Sequence, residues 1–355
     1  MVLGRILSAA VLLGLWTAAS AQTVSFDSSG NGLLKGRSYF RQVFWITNSS
    51  GGLTRAISLY GTIDYDGGGN YSIDTQAFDS NVGQAIPYKY SGTYVISSSG
   101  YGSIQNPVAT DTSIFGLVSN GVFVGSSTGG AFSDLFISAP LASPVPTASS
   151  LRGTYTISHI DFNSSDPRTT RSFLYQLNAD GAGNLGNVSI SGSIAGNGTT
   201  GTAQTATNVK YFFSNGAANI NFGGTLTNSN LIAGTKYLYM SADGNLVFGG
   251  SPTGWDFFVG VKSDASGKAF GGLYYEAGVD QDGGAIDTYY GSLKAAGGVI
   301  LQHQRIQNLT LQGAYDYTFS GSYSIDADGT YSDSAGTKYI FADNGRYRVG
   351  FGKGN

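Results

Sequence analysis

The chain has 355 residues, of which 54 are Gly, none is Cys, two are His and only 12% are charged, giving a formal net charge of −3. That balance excludes the basic field nucleic-acid binding requires, and without thiols neither a disulfide nor, with two imidazoles, any usual zinc site is available. An aromatic share of 13% supplies the burial that disordered Gly/Ser-rich chains lack.

In chain order, the first element is a signal peptide over residues 1–21. Arg5 supplies the basic start, Ile6 to Trp16 the apolar run, and Ala19-Ser20-Ala21 the small-residue cleavage pattern before Gln22. The run is too short to span a bilayer and no second long apolar stretch follows, so no transmembrane helix is expected. The mature chain is expected outside the cytoplasm, in the extracellular space or at the cell surface, with the periplasm as a further location.

Beyond Gln22 the apolar pattern has a period of two. Ile57, Leu59, Gly61, Ile63 and Tyr65 share one face, as do Phe173, Tyr175, Leu177 and Ala179, and Tyr323, Ile325 and Ala327. Alternation of this kind puts successive side chains on opposite faces of a strand. Strands are expected over 38–47, 55–65, 70–78, 85–97, 101–105, 112–118, 121–127 and 132–138, and no helical period extends beyond a turn or two. Asp66-Gly67, Asn120-Gly121, Asp180-Gly181, Asp243-Gly244, Asp328-Gly329 and Asn344-Gly345 punctuate the pattern with residues that tolerate the positive φ of tight hairpins.

These turns recur in order. Leu59-Tyr60 precedes Asp66-Gly67-Gly68-Gly69-Asn70 as Leu174-Tyr175 precedes Asp180-Gly181-Ala182-Gly183-Asn184. Ser91-Gly92-Thr93-Tyr94 matches Ser320-Gly321-Ser322-Tyr323, and Gly125, Gly249 and Gly350 close a third recurring element. Three units therefore start near Gly36, Gly153 and Gly272, with starts 117 and 119 residues apart. The expected organisation is a β module over 22–139, a linker over 140–150 carrying Pro140, Pro144 and Pro146, a second module over 151–262 and a third over 263–355. The third lacks a counterpart of the strand that ends the others, Phe132 to Ser138 and Trp255 to Val261, so it is expected to be truncated or to receive that strand from elsewhere.

Eight strands in such a unit suit an all-β fold of tandem antiparallel modules. Each is an up-and-down barrel of lipocalin size or a sandwich, with the barrel favoured because closure removes exposed edges. On its Gly/Tyr-rich composition and recurring turn motifs, most of the mature chain resembles uncharacterised secreted bacterial proteins built from Gly/Tyr-rich β repeats. The resemblance implies an exported surface role and brings no catalytic residues.

Motifs that carry chemistry are sparse. Gly181, Gly183 and Gly186, and Gly196, Gly198 and Gly201, satisfy G-x-G-x-x-G but open no helix, so no helix N-terminus is present to hold a pyrophosphate. Gly125-Ser126-Ser127-Thr128-Gly129 has the spacing of a nucleophile elbow without its strand-turn-helix setting. His159, near Asp161, and His303 fall in different units and read as strand residues. Glu276 is the only glutamate, so no natural carboxylate pair for glycoside hydrolysis stands out. Asp280, Asp282 and Asp287, and Asp326, Asp328 and Asp333, repeat one spacing that could gather oxygen ligands for calcium, against the simpler reading that Asp-Gly builds hairpins. Trp45, within Phe44-Trp45-Ile46, reads as core, whereas Trp255 after Pro252-Thr253-Gly254 is the candidate ligand-contact residue.

Together these features point to a secreted or cell-surface, non-enzymatic β protein. Its expected role is structural, or the binding of a glycan, a small apolar ligand or another surface protein. The alternatives are an outer-membrane barrel and a carbohydrate-active enzyme.

Overall fold

The computed structural model describes residues 26–48, 53–127, 132–162, 169–195, 201–263, 271–282, 285–308, 313–325, 330–334, 338–342 and 347–351. Alternation becomes strand throughout. The first eight are β1 (Lys35–Thr47), β2 (Leu53–Asp66), β3 (Asn70–Asp79), β4 (Ala85–Ile96), β5 (Tyr101–Gln105), β6 (Ser113–Ser119), β7 (Val122–Ser126) and β8 (Phe132–Pro140). They follow one another round a closed antiparallel barrel, sealed where β1 pairs with both β2 and β8. The next eight are β9 (Arg152–Asp161), β10 (Arg171–Asp180), β11 (Asn184–Ile194), β12 (Thr202–Ser214), β13 (Ala217–Asn221), β14 (Thr235–Met240), β15 (Leu246–Gly250) and β16 (Phe257–Lys262). They close in the same order, β9 pairing with both β10 and β16. Of the two architectures the alternation allowed, the structure is the barrel.

The last seven strands are β17 (Gly272–Asp282), β18 (Ala285–Ala296), β19 (Val299–Asn308), β20 (Gly313–Ile325), β21 (Tyr331–Asp333), β22 (Lys338–Ala342) and β23 (Tyr347–Phe351). They form one sheet in chain order, without an eighth strand between β17 and β23 among the described residues.

The recurring turn has the same geometry in both barrels. The Asp66 carboxylate accepts backbone N–H groups of Gly68, Gly69 and Asn70 and the Asn70 amide at 2.7 Å, while Asp180 accepts from Ala182 and from the backbone and amide of Asn184. These donors hold Asp66 down at about 2 and also lower Asp180. Gly69 and Gly183, at φ +118° and +100°, supply the left-handed backbone the turn requires. A short 3-10 turn precedes each first strand, Asn31–Leu33 and Ala148–Ser150. A tyrosine pins each: Tyr94 donates to the Leu34 carbonyl at 2.7 Å, and Tyr211 to the Leu151 carbonyl at 2.9 Å.

Both barrels are filled rather than hollow along their cores. Phe40, Phe44, Leu59, Ile63, Ile73, Ile104 and Phe123 pack inside the first, and Tyr155, Ile157, Phe173, Leu177, Ile190, Ile220 and Phe258 inside the second. Outward positions are polar: Asn70, Ser72 and Asp74 of β3, and Gln176, Asn178 and Asp180 of β10, are exposed while their neighbours are buried. No helix among the described residues is long and apolar enough to cross a membrane.

A third apolar cluster joins the barrels. Tyr39, Val43 and Trp45, on the outer face of β1, meet Phe162, Tyr239, Phe248 and Phe257 of the second barrel. Tyr39 stacks on Tyr239 at 4.9 Å, and Trp45 lies 4.7 Å from Phe162. Gly216 lets the hairpin between β12 and β13 approach, since a Cβ there would stand 1.6 Å from the Tyr39 hydroxyl. The third sheet leans on this joint with its outer face: Ala277, Val279, Tyr347 and Val349 pack against the cluster, and Tyr290 stacks on Phe115 of β6 at 5.6 Å.

Candidate functional site

The chemistry-bearing residues gather at corresponding places in the two barrels. Gln42 lies six residues after Gly36, and His159 six after Gly153. Each inward side chain meets a carboxylate at the closing strand of its barrel, Asp134 within β8 and Asp256 just before β16: Gln42 donates to Asp134 at 2.7 Å, and His159 Nε2 lies 2.9 Å from Asp256. A serine one residue past the seventh strand completes both. The backbone N–H of Ser127 donates to Asp134 at 2.5 Å and that of Ser251 to Asp256 at 2.6 Å, and both hydroxyls reach the second carboxylate oxygen.

The remaining partners differ. Around Asp134 they are neutral: the Asn106 amide donates at 3.0 Å, and burial pushes this carboxyl up to about 6. Around Asp256 they are cationic. Lys236 Nζ stands 2.5 Å from Asp256 Oδ2, and Arg41, reaching over from β1, lies 3.4 Å from Oδ1 and donates to the Asp256 carbonyl at 2.6 Å. Against the burial that opposes it, Lys236, His159 and Arg41 hold Asp256 well below the ordinary carboxylate range. Nearby Asp161 is pushed up to about 6 by burial, with Asp256 adding to the rise. Burial lowers His159 to about 4, so its imidazole is neutral near pH 7. It stacks on Phe173 at 4.3 Å. Arg171 seals the same end by donating to the carbonyls of Thr227 and Asn230.

This cluster has the residue types of an acid–base site but not its accessibility. His159, Asp256, Lys236, Arg41, Asp161 and Arg171 are all buried. Lys236 Nζ lies 2.7 Å from the Ser251 hydroxyl, the spacing of a Ser–Lys nucleophile pair. Its Nζ is, however, buried and held against Asp256 at 2.5 Å. The arrangement instead neutralises charges within a barrel end and clamps one barrel to the other. Gly250 makes that possible: a Cβ there would stand 2.4 Å from Arg41 Cζ.

The third sheet differs in its inner face. Glu276 of β17 is ion-paired with Arg348 of β23 and accepts the amides of Gln304 at 2.8 Å and Gln302 at 3.2 Å. Its apolar core is small, comprising Leu293, Ala295, Ile300 and Tyr331 with Tyr274, Phe319 and Tyr323 against them. Tyr315 and Tyr317, opposite Ile306 and Gln304 in register, remain 45% and 44% exposed.

Other sequence-level candidates are dispersed. Trp255 is half-buried and stacks on Phe78 at 5.5 Å, which places it at the joint between barrels. Trp45 is buried at the same joint rather than inside a barrel. Asp280 and Asp287 pair in register across β17 and β18, and Asp282 ends β17; Asp333 is buried in β21, and Asp326 and Asp328 lie outside the described residues. Among the described residues no three acidic or imidazole groups converge as a cation site would require. Ser126 and Ser127 of the elbow-like motif serve the Asp134 network, and Thr128 and Gly129 lie outside the described residues. His303 is exposed on β19, next to the Gln304 that contacts Glu276 but on the opposite face of the sheet. A shallow groove of about 450 Å³ runs between the linker and β12, lined by Val145, Pro146, Tyr211, Phe212 and Asn215.

The fold and these clusters define a tandem up-and-down β-barrel protein with an attached open sheet, in which the ionisable groups of the barrels are built into the walls. No family model matches the chain, and no curated protein matches it.

Proposed function

We propose that the protein is exported and non-enzymatic, with the two closed barrels acting as a rigid scaffold that presents the third sheet for recognition. The observation that carries this reading is the disposition of polar chemistry. In the barrels the ionisable clusters around Asp134 and Asp256 are buried, whereas Tyr315 and Tyr317 stand exposed on the inner face of the third sheet. The signal-peptide pattern ending at Ala21 and the resemblance to secreted Gly/Tyr-rich β-repeat proteins support export. The apolar interiors and polar exteriors favour a water-facing protein, because a barrel spanning a membrane turns its apolar residues outward to lipid.

The test is expression of the full chain with its own leader, followed by fractionation and N-terminal mass spectrometry. The reading expects a protein beginning at Gln22 and recovered without detergent. Recovery only from membranes with detergent, or with residues 1–21 retained, would overturn it.

A further inference from the structure

We infer that the third sheet is a barrel lacking one strand, closed by a strand of a separate polypeptide that pairs antiparallel with both β17 and β23, an assignment that rests on the scaffold reading and gives its recognition surface a partner class. The template is the eighth strand of each closed barrel. β8 pairs with β1 over 38–46, beginning two residues after Gly36, and β16 pairs with β9 over 155–160, beginning two after Gly153. The equivalent stretch of β17 begins at Tyr274, two after Gly272. Among the described residues β17 pairs only with β18 and β23 only with β22, so each turns a row of backbone N–H and C=O groups toward the gap.

These edges are not blunted. Edge strands that stay free carry proline, a bulge or charges that repel another chain. β17 keeps its register with β18 through all eleven pairs and β23 with β22 through all five, and neither strand contains proline. Over 274–279 the one charged residue is Glu276, and Arg348 is ion-paired to it. An open edge of this kind is a template for another chain, and an added strand satisfies its whole row of donors and acceptors at once.

The closed barrels also define what the strand carries. Ser138 stands in register between Phe40 and Phe123, and Gly260 between Ile157 and Val247. Two residues earlier, Phe136 stands between Gln42 and Gly125, and Phe258 between His159 and Gly249. In the third sheet the positions flanking the small residue are Glu276 and Arg348, and those flanking the aromatic are Gly278 and Gly350. A gap of one strand is two inter-strand spacings, about 10 Å, which an arginine and a glutamate span together when the residue between them is small. Arg348 does reach across, to the Glu276 carboxylate and to 5.6 Å from the centre of the Tyr274 ring. Between aromatic and small residue, Ile137 and Val259 turn outward into the apolar joint of the barrels. Ala277 and Val279 on one lip of the gap, and Tyr347 and Val349 on the other, pack against the same joint. The partner is therefore an extended segment reading aromatic, aliphatic, small.

Fluorescence anisotropy of labelled synthetic peptides with the sequences of residues 132–140 and 255–262, titrated with the full-length protein, tests this. Saturable binding of at least one peptide is expected, with hydrogen exchange slowed in 272–282 and 347–351 and nowhere else. Phe258→Ala in the 255–262 peptide should weaken binding about 10-fold. Gly260→Trp in the same peptide would force a large side chain between Glu276 and Arg348 and should abolish it. A peptide N-methylated along its backbone keeps every side chain but cannot pair, and should not bind. No binding of either peptide, equal binding of the N-methylated one, or protection outside β17 and β23 would overturn the assignment. So would sedimentation as a dimer that no longer takes up peptide, because a second copy would then hold the edge. None of these outcomes bears on export or detergent-free recovery, so this inference and the scaffold reading fail separately.

Discussion

Asp134 and Asp256 are the same carboxylate in two surroundings. Asp134 lies on β8 and Asp256 immediately before β16, the strands that close the two barrels; each is buried and accepts the backbone N–H of a serine just past the preceding strand. Yet Asp134 is pushed up to about 6 while Asp256 is held well below its ordinary range. Burial is common to both, so it cannot explain opposite directions. The difference is the charge of the neighbours: amides of Gln42 and Asn106 in one case, Lys236 and Arg41 in the other. The lesson is that the second barrel's end is electrostatically tied to the first barrel through Arg41, whereas the first barrel's end is self-contained.

The sharpest way to break the comparison is Arg41→Ala. It strips Asp256 of a buried partner and removes the polar clamp between barrels, so a loss of about 3 kcal/mol is expected in chemical unfolding. A loss below about 0.5 kcal/mol would mean that Arg41 is not part of the network. Next, Gly250→Ala would drive a methyl into the Arg41 guanidinium and the Asp256 carbonyl, 2.4 and 2.5 Å from the new Cβ. It should cost about 2 kcal/mol, of which only the part owed to the guanidinium should be relieved in an Arg41→Ala background, because the Asp256 carbonyl still stands 2.5 Å from the new Cβ.

Two substitutions sharpen the comparison through pH. His159 is lowered to about 4 from 6.5, so the unfolded chain takes up its proton first as pH falls. The protein should therefore lose stability between pH 6.5 and 4 on this account, with nothing contributed above 6.5. His159→Gln, which installs the residue the first barrel uses, should abolish about 2 kcal/mol of that acid-side loss, measured as the difference between unfolding free energies at pH 7 and pH 4.5. Asp134 has the opposite sign. Its folded value of about 6 exceeds the ordinary 3.8, so the folded state holds its proton more tightly and stability falls as pH rises from 3.8 to 6. Relative to the native protein, Asp134→Asn should gain about 2 kcal/mol on going from pH 4 to pH 7, whatever its absolute stability. The smallest effect belongs to the exposed Arg37–Asp64 pair, whose members are 60% and 43% exposed. Arg37→Ala should change unfolding free energy by less than about 0.5 kcal/mol.

The barrels were legible in the sequence because they follow from local rules. Alternation located β1 to β8 within three residues at each end, and the Asp-Gly-x-Gly-Asn turns occupy the same hairpin in both barrels. Barrel over sandwich depended on where β1 meets β8, a non-local pairing that no alternation encodes. The charged clusters were harder. Arg41 and Asp256 are 215 residues apart in sequence and meet only because two barrels dock. A signal did exist: Lys236 is in phase with Leu238 and Met240, and Arg171 with Phe173 and Tyr175, so each puts a charge on an inward face. A cation in phase with a core stripe implies a buried partner. Glu276 was visible as the lone glutamate, but its partner Arg348 lies on a strand six positions away in the sheet.

Hydrogen–deuterium exchange on the full-length protein tests most directly whether the two closed barrels are the scaffold. Slow exchange in β1, β9, β14 and β16 around Arg41, His159 and Lys236, with faster exchange in peptides from 272–325, is the predicted result. Faster exchange around His159, Lys236 and Asp256 than in 272–325 would contradict the account, because it would open the cluster that ties one barrel to the other.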